Sequence, residues 1–289
     1  MNTCPACKSK ISKAYEQYQW TFWGSDYGLL ICGNCKTIFT DPLPSNDVLK
    51  RVYAECFDYR WYQDHYTAKY RDCTARVEEY RSWLGQRVLD FGGGVGYLSE
   101  ALRAKGYESQ TYDPYCTIGD KMESGWDTII ALHVLEHSND PDCTIAQIKS
   151  LLNSDGKLIL AVPNAAGKGY RELNTQWVWM QPPLVHVLHF TKKGLCTLLE
   201  RNGFVIKEVR FAERWDANLD CDLERVEQFR LLGSLWGRQP YSRLRLYRKL
   251  CASYVSSLRN KGLQKAINKT STDSEDFSEL QVIAKLVAQ

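Results

Sequence analysis

The stretch "VLDFGGGVGYLSEAL", residues 88–102, decides the fold: an apolar run, a cluster of glycines, then an amphipathic helical pattern. Gly92, Gly94 and Gly96, with Gly93 in addition, follow Asp90 in the order D-x-G-x-G-x-G. A strand–loop–helix turn of this kind lets the backbone pass close to a ligand without side chains in the way. A dinucleotide loop would put its last glycine where Tyr97 stands. An acid at the end of the strand would also repel a pyrophosphate, whereas it suits a ligand carrying an ammonium group, directly or through water.

A second acid, Asp113 in "TYDPY", stands at the end of the second strand read from the sequence. A carboxylate there can accept both hydroxyls of a ribose. The ligand implied has an adenosine ribose and an amino acid but no phosphate, which describes S-adenosylmethionine. The cofactor set is Asp90, Gly92, Gly94, Gly96 and Asp113, with Leu132 counted beside them.

Around this loop, strands and helices alternate. "RVLDFG", "SQTYDP", "WDTIIALHV", "KLILAVPN" and "FVIKEVRF" read as strands. "YLSEALRAKGY", ending at Gly106, "PDCTIAQIKSLLNSDG", closed by Gly156, and "TKKGLCTLLERNG" read as helices. The pattern predicts an α/β fold with a doubly wound, mostly parallel sheet over residues 85–289. "ELQVIAKLV" is a last strand, and if it pairs with 204–211, residues 215–275 are a helical insertion before it. "YRKLCASYVSSL" carries a helical stripe inside that insertion, and "NKTSTDSEDFS" reads as a loop.

Residues 1–40 form a separate unit in this reading. Cys4 and Cys7, then Cys32 and Cys35 after a 24-residue gap, give C-x2-C twice, the spacing of a zinc ribbon. Each pair can aim two thiolates at one tetrahedral ion, with Gly33 easing the second turn, and four sulfurs leave no open position, so the zinc is structural. The alternatives are a redox dithiol or free thiols. Residues 41–84 follow as a linker. Ser45 can cap a helix starting near Asn46, and Tyr53, Phe57, Tyr59, Trp61, Tyr62 and Tyr66 serve either as a lid over a cleft or as plain packing.

Composition sets outer limits. The chain has 289 residues, 44% hydrophobic and 25% charged, which fits one main folded domain with small attachments. Its net charge of +3 points neither to nor away from nucleic acid. No apolar run is long enough to span a membrane, and "MNTCPACKSK" lacks a signal-peptide core, so a cytoplasmic protein is expected. Eleven cysteines, an odd number in a chain without an export signal, imply reduced thiols and metal ligands.

The sequence resembles the class I S-adenosylmethionine-dependent methyltransferases, in "VLDFGGGVGYLSEAL", "YDPY", "WDTIIALHVLEHSNDP" and "LLNSDGKLILAVPN". "CPAC…CGNCKTIFTDPLPSNDVLKRVY" and "HVLHFTKKGLCTLLERNGF" are similar to a bacterial branch with an N-terminal four-cysteine zinc ribbon. The resemblance implies a Rossmann-like methyltransferase fold and methyl transfer. Many members of that branch modify sugars, surface polysaccharides or natural products. One departure is the short segment between Asp113 and Trp126, where Asp120 or Met122 takes the adenine side.

Methyl transfer needs an aligned acceptor and an outlet for its proton. "HVLEH" supplies His133, Glu136 and His137 at the mouth of the strand. Either histidine suits a general base, with Glu136 orienting it or binding the acceptor; the alternative is that all three cap the next helix or hold the cofactor's methionine end. A protease-like zinc motif is set aside, since it needs its ligands on a helix. His186 and His189, with Trp177, Trp179 and Met180, suggest a wall for a small-molecule or saccharide acceptor, or ordinary packing.

A rival class exists. Arg238 to Lys265 holds eight basic residues and no acid, interleaved with Tyr241, Tyr247 and Tyr254. With a zinc ribbon, that stretch also suits an RNA methyltransferase. It equally suits a solvated helix face or a phosphorylated carrier of the acceptor. A non-catalytic binding protein is disfavoured by the intact loop and its two acids.

Overall fold

A computed structural model of the chain describes residues 3–11, 13–56, 66–114, 123–173, 178–180, 184–213, 269–271 and 274–287. At the N-terminus, two cysteine turns flank a meander of β1 (Lys13–Phe22), β2 (Ser25–Ile31) and β3 (Ile38–Asp41). Helix α1 (Asn46–Cys56) starts as its sequence predicts, with the Val48 amide donating to Ser45 Oγ at 3.3 Å. Helix α2 (Tyr66–Tyr80) leads into the larger layer.

That layer alternates β4 (Arg87–Phe91), α3 (Tyr97–Ala104), β5 (Glu108–Tyr112), β6 (Trp126–Leu132), α4 (Pro141–Leu151) and β7 (Leu152–Pro163). After α5 (Lys168–Leu173) come β8 (Leu188–His189), α6 (Lys192–Arg201), β9 (Phe204–Glu213), β10 (Lys269–Ser271) and β11 (Glu279–Leu286). Seven strands join in the order β10-β9-β11-β7-β6-β4-β5. Strands β4 to β7 run parallel, while β11 slots antiparallel between β7 and β9. The pairing of β11 with β9 makes the residues between them an insertion before the last strand.

Both faces of this sheet are apolar, as a sheet covered on two sides requires. Val88, Ile130, Ile159 and Ile283 pack with Val77, Tyr80 and Leu98 on the side of α2 and α3. Their chain neighbours Leu89, Ile129, Leu160 and Val282 face the other way, toward Ile145, Ile148, Leu195 and Leu198 of α4 and α6. The helix expected to close at Gly156 ends at Leu151. Asn153, Ser154 and Asp155 favour turns over helix interiors, and β7 captures them. Gly156 therefore lies inside that strand, beside a register shift against β6. The insertion, read as strandless, contributes the short edge strand β10, whose register is set by β9 and not by any pattern of its own.

The N-terminal unit, read as separate, is hydrogen-bonded into the rest. Strand β8 completes its sheet in the order β1-β2-β3-β8. Thr191 caps α6 by accepting the Gly194 amide at 3.1 Å, and its hydroxyl donates to the Cys35 carbonyl at 2.6 Å. Lys193 Nζ reaches the Asn34 side chain at 2.8 Å, and Arg201 donates to the Ala6 and Pro5 carbonyls at 2.9 and 3.0 Å. Cys4, Cys32, Cys35 and Phe39 share one apolar cluster with Leu195 and Leu199. Among the described residues, no helix is long and apolar enough to cross a membrane.

The basic stretch 238–265 and the helical pattern at 247–258 lie outside the described residues. So do Phe57, Tyr59, Trp61, Tyr62, Asp120, Met122 and Trp177.

Candidate functional site

In an open α/β sheet, ligands bind beyond the carboxyl ends of the strands where the order reverses. Here that point lies at β4, which has β5 on one side and β6 on the other. The glycine loop leaves β4 at this position with Gly92, Gly94 and Gly96 at φ of 73°, 56° and 88°. Side-chain-bearing residues rarely adopt such angles. At Gly92 a Cβ would also lie 2.4 Å from Val134 Cγ2, whereas at Gly94 nothing stands within 4 Å, so that backbone faces open space. The Gly94 amide donates to Asp113 Oδ2 at 2.9 Å, joining the loop to the acid that follows β5.

Asp90 takes a different place from the one its position in the sequence suggests. Its side chain is 2% exposed and lies beneath Gly93, accepting from Thr111 Oγ1 at 3.4 Å. Burial raises its carboxyl to about 7, outweighing the Ser99 amide and the Thr111 hydroxyl. It buttresses the loop and does not line the open crevice. Leu132 ends β6 half-buried, packed against the apolar cluster of Val88 and Ile130.

The next residue, His133, has φ of 55°. A left-handed backbone at a non-glycine residue costs of order 1–3 kcal/mol and persists where the surroundings over-determine it. Those surroundings are two carboxylates. His133 Nδ1 meets Glu136 Oε1 at 3.1 Å, and Nε2 meets Glu279 Oε2 at 3.0 Å. Burial opposes a charge on the ring, but the two acids prevail and push His133 up to about 9. Glu279, itself buried, takes a bidentate bond from Arg76 of α2 at 2.7 and 3.2 Å. Against the pull of burial, Arg76 and His133 hold Glu279 well below the usual carboxylate range.

His137 closes the short 3-10 turn Leu135–His137. Its Nδ1 pairs with the Val185 carbonyl at 2.7 Å, and its ring meets His186 edge-on at 4.7 Å. His186 Nδ1 pairs in turn with the Trp179 carbonyl at 2.8 Å. The Trp179 ring lies nearly parallel to His186 and to His133, at 5.5 and 5.6 Å, and Tyr53 of α1 stands edge-on to His137 at 6.2 Å. Burial lowers His137, and burial with the neighbouring histidines lowers His186 strongly. His189 lies deeper, in β8, 1% exposed and pulled down to about 3 chiefly by burial. Met180 is buried against the ribbon sheet, with Leu29 and Ile38.

The structure thus brings His133, Glu136, His137 and His186 together beside the loop and sets His189 behind them. Sequence reasoning missed Arg76 and Glu279. The one visible signal was an acid opening an otherwise apolar strand, "ELQVIAKLV". The sulfurs of Cys4, Cys7, Cys32 and Cys35 all lie within 4.8 Å of one another.

A cofactor loop at the switch point, an acid after the second strand and an antiparallel last strand between β7 and β9 define a Rossmann-like methyltransferase. A family model described as a methyltransferase domain matches residues 62–209, just over half of the chain, and the protein belongs to that family of S-adenosylmethionine-dependent enzymes. Similar solved structures include an S-adenosylmethionine-dependent methyltransferase from Thermotoga maritima, at 12% identity, covering 83% of this chain and 99% of that one, with a TM-score of 0.46. Magnesium protoporphyrin IX methyltransferase from Synechocystis, with bound S-adenosylhomocysteine, shows 15% identity, 83% and 93% coverage and a TM-score of 0.41. Phosphoethanolamine N-methyltransferase 2 from Haemonchus contortus shows 14% identity, 95% and 72% coverage and a TM-score of 0.45. No curated protein sequence matches the chain.

Proposed function

We propose that this methyltransferase acts on an oxygen or nitrogen of a small-molecule or saccharide acceptor, and that the acceptor's proton is managed at His137. The observation that carries the reading is the ring cluster at the end of β6. There His137, His186 and Trp179 give an aromatic, uncharged wall at the segment whose Val134 packs against Gly92 of the loop. Such faces suit a sugar or another small ring.

S-Adenosylmethionine supplies, when bound, a methyl carbon activated by its sulfonium. The open backbone at Gly94, the Asp113 carboxylate and the half-buried Leu132 fit it, and Asp90 supports the loop from below. The enzyme's remaining tasks are to align the acceptor atom at ~3–3.5 Å and to let its proton leave. His133 cannot take that proton, because both ring nitrogens face carboxylates and the ring is already charged at neutral pH. His137 is placed to do so: its Nδ1–H donates to Val185, which leaves a lone pair on Nε2, and burial keeps the ring neutral. Glu136 orients the strand end through His133.

A structural zinc ion belongs to the same proposal. Tetrahedral Zn–S bonds of ~2.3 Å require sulfurs about 3.8 Å apart. The Cys4–Cys35 and Cys7–Cys32 separations of 3.7 and 3.5 Å fit that demand.

Methyl incorporation from labelled S-adenosylmethionine, run across nucleotide sugars, glycans, small alcohols and amines and total RNA, tests the reading. Incorporation into a saccharide or small acceptor is expected, and His137→Gln should slow it ~10²–10⁴-fold while S-adenosylhomocysteine still binds. Incorporation into RNA alone, or an unaltered rate in His137→Gln, would overturn it.

A further inference from the structure

Glu136 Oε2 is buried and has no hydrogen-bond partner among the described residues. A buried carboxylate oxygen left so is costly, and such an atom in a native fold calls for a ligand. The atoms around it show which ligand. One ligating atom from each of Glu136, His137 and His186 lies within 4.8 Å of the other two. In all three side chains the second polar atom is already held: Glu136 Oε1 by His133 at 3.1 Å, His137 Nδ1 by Val185 at 2.7 Å and His186 Nδ1 by Trp179 at 2.8 Å. Because a carbonyl can only accept, both histidines carry their proton on Nδ1, so each presents an Nε2 lone pair.

We propose that Glu136, His137 and His186 form a second metal site, taking a first-row divalent cation such as zinc through Oε2 and two Nε2 atoms, with open positions turned to the acceptor. Two imidazoles and a carboxylate suit zinc and its neighbours in the first transition row better than magnesium or calcium, which prefer an all-oxygen shell. Metal-bound histidines almost always donate their other N–H to a carbonyl or carboxylate, which fixes tautomer and ring direction. That outer layer is present here before any ion arrives. Bonds of ~2.0–2.2 Å to one ion place the ligand atoms roughly 3.0–3.5 Å apart, so the three side chains close inward by small rotations on binding. His189 stands behind His186, ring centroids 6.3 Å apart, with both nitrogens unpartnered among the described residues.

The inference rests on the reading that a small acceptor meets the His137 side of the site, and it changes the fate of the proton: with His137 Nε2 on the cation, that nitrogen no longer takes it. An acceptor hydroxyl bound to the cation becomes more acidic and gives up its proton to solvent, and His137 serves as the ligand that holds the cation in place. No redox change is involved: the O–H bond breaks with its proton passing to water, the cation holds the alkoxide, and the O–CH3 bond forms as the methyl–sulfur bond breaks and S-adenosylhomocysteine leaves.

Cobalt(II) or zinc loading of the full chain, followed by metal analysis and absorption spectroscopy, tests the site without relying on turnover. The four-cysteine centre serves as an internal reference through its thiolate-to-cobalt charge-transfer band. Wild-type protein should hold two ions per chain. Glu136→Gln, nearly isosteric, and His186→Ala should each hold one, with the thiolate band intact and S-adenosylhomocysteine affinity within about twofold of wild type. One ion in the wild type, or two in both variants, overturns the site. The acceptor screen separates this outcome from failure of the broader reading. Methyl transfer to a small acceptor by protein with a single, thiolate-bound ion keeps that reading and removes the second site. Two bound ions with transfer to RNA alone keep the site and remove the reading.

Discussion

Arg76 and Glu279 lie 203 residues apart in sequence and share a bidentate bond with both side chains at 4% exposure or less. Replacing Glu279 by Gln keeps the shape and removes the charge. Arg76 would then retain Tyr80 Oη at 3.4 Å and the half-exposed Asp72 at 3.0 Å, neither of which neutralises a guanidinium inside the fold. Removing one partner of a buried pair costs about 3–5 kcal/mol. Unfolding entropy of ~2.1 cal/mol/K per residue gives about 0.6 kcal/mol/K for 289 residues, so the midpoint should fall by roughly 5–8 °C. Arg76→Met combined with Glu279→Gln removes both charges and should lose less than Glu279→Gln alone. Circular dichroism melts of the four proteins complete the cycle. A loss under about 1 kcal/mol for Glu279→Gln, or a double variant whose loss equals the sum of the singles, would refute the reasoning.

Three further outcomes follow from the same geometry. Asp90 has a folded pKa of about 7, above its ordinary value near 4, so the fold prefers it protonated. Native stability should therefore fall as pH rises from about 4 to about 7, by up to ~4 kcal/mol, and then level off; urea titrations of the cofactor-free protein should show Asp90→Asn without that slope. Gly92→Ala meets Val134 and a φ of 73°, so calorimetry should show S-adenosylhomocysteine binding weakened at least tenfold, with Gly106→Ala as a control for strain remote from the loop. Chelating the zinc proposed for the four cysteines should raise hydrogen exchange in residues 188–195 as well as in the cysteine turns, because β8 and α6 are bonded to them; exchange confined to residues 3–41 would contradict this coupling.

The parallel sheet was legible because β4, β6 and β7 are apolar runs bounded by turn residues, and α4 and α6 carry their own caps, Asp140 and Thr191. The cofactor loop was legible because its glycines and acids lie within a few residues of one another. The pairing of β3 with β8 was not, since two residues leave no periodicity and their partner lies about 150 positions away. Nor was the sorting of the histidines. His133 and His137 look alike in "HVLEH", and what separates them is Glu279, brought in by the last strand. The early end of α4 escaped for a related reason: β6 decides where β7 begins, and local propensity does not.

Docking of the cysteine turns onto α6 also limits how this enzyme can be rearranged. The Thr191 hydroxyl donates a hydrogen bond to the Cys35 carbonyl, and Arg201 ties down the turn around Cys4. A chimera that exchanges residues 1–41 for those of another methyltransferase would import a strand edge and carbonyls shaped for a different helix. The two ends of the graft would have to be chosen together, one near residue 41 and the other spanning 184–201, so in inheritance as in engineering these distant segments behave as a single cassette.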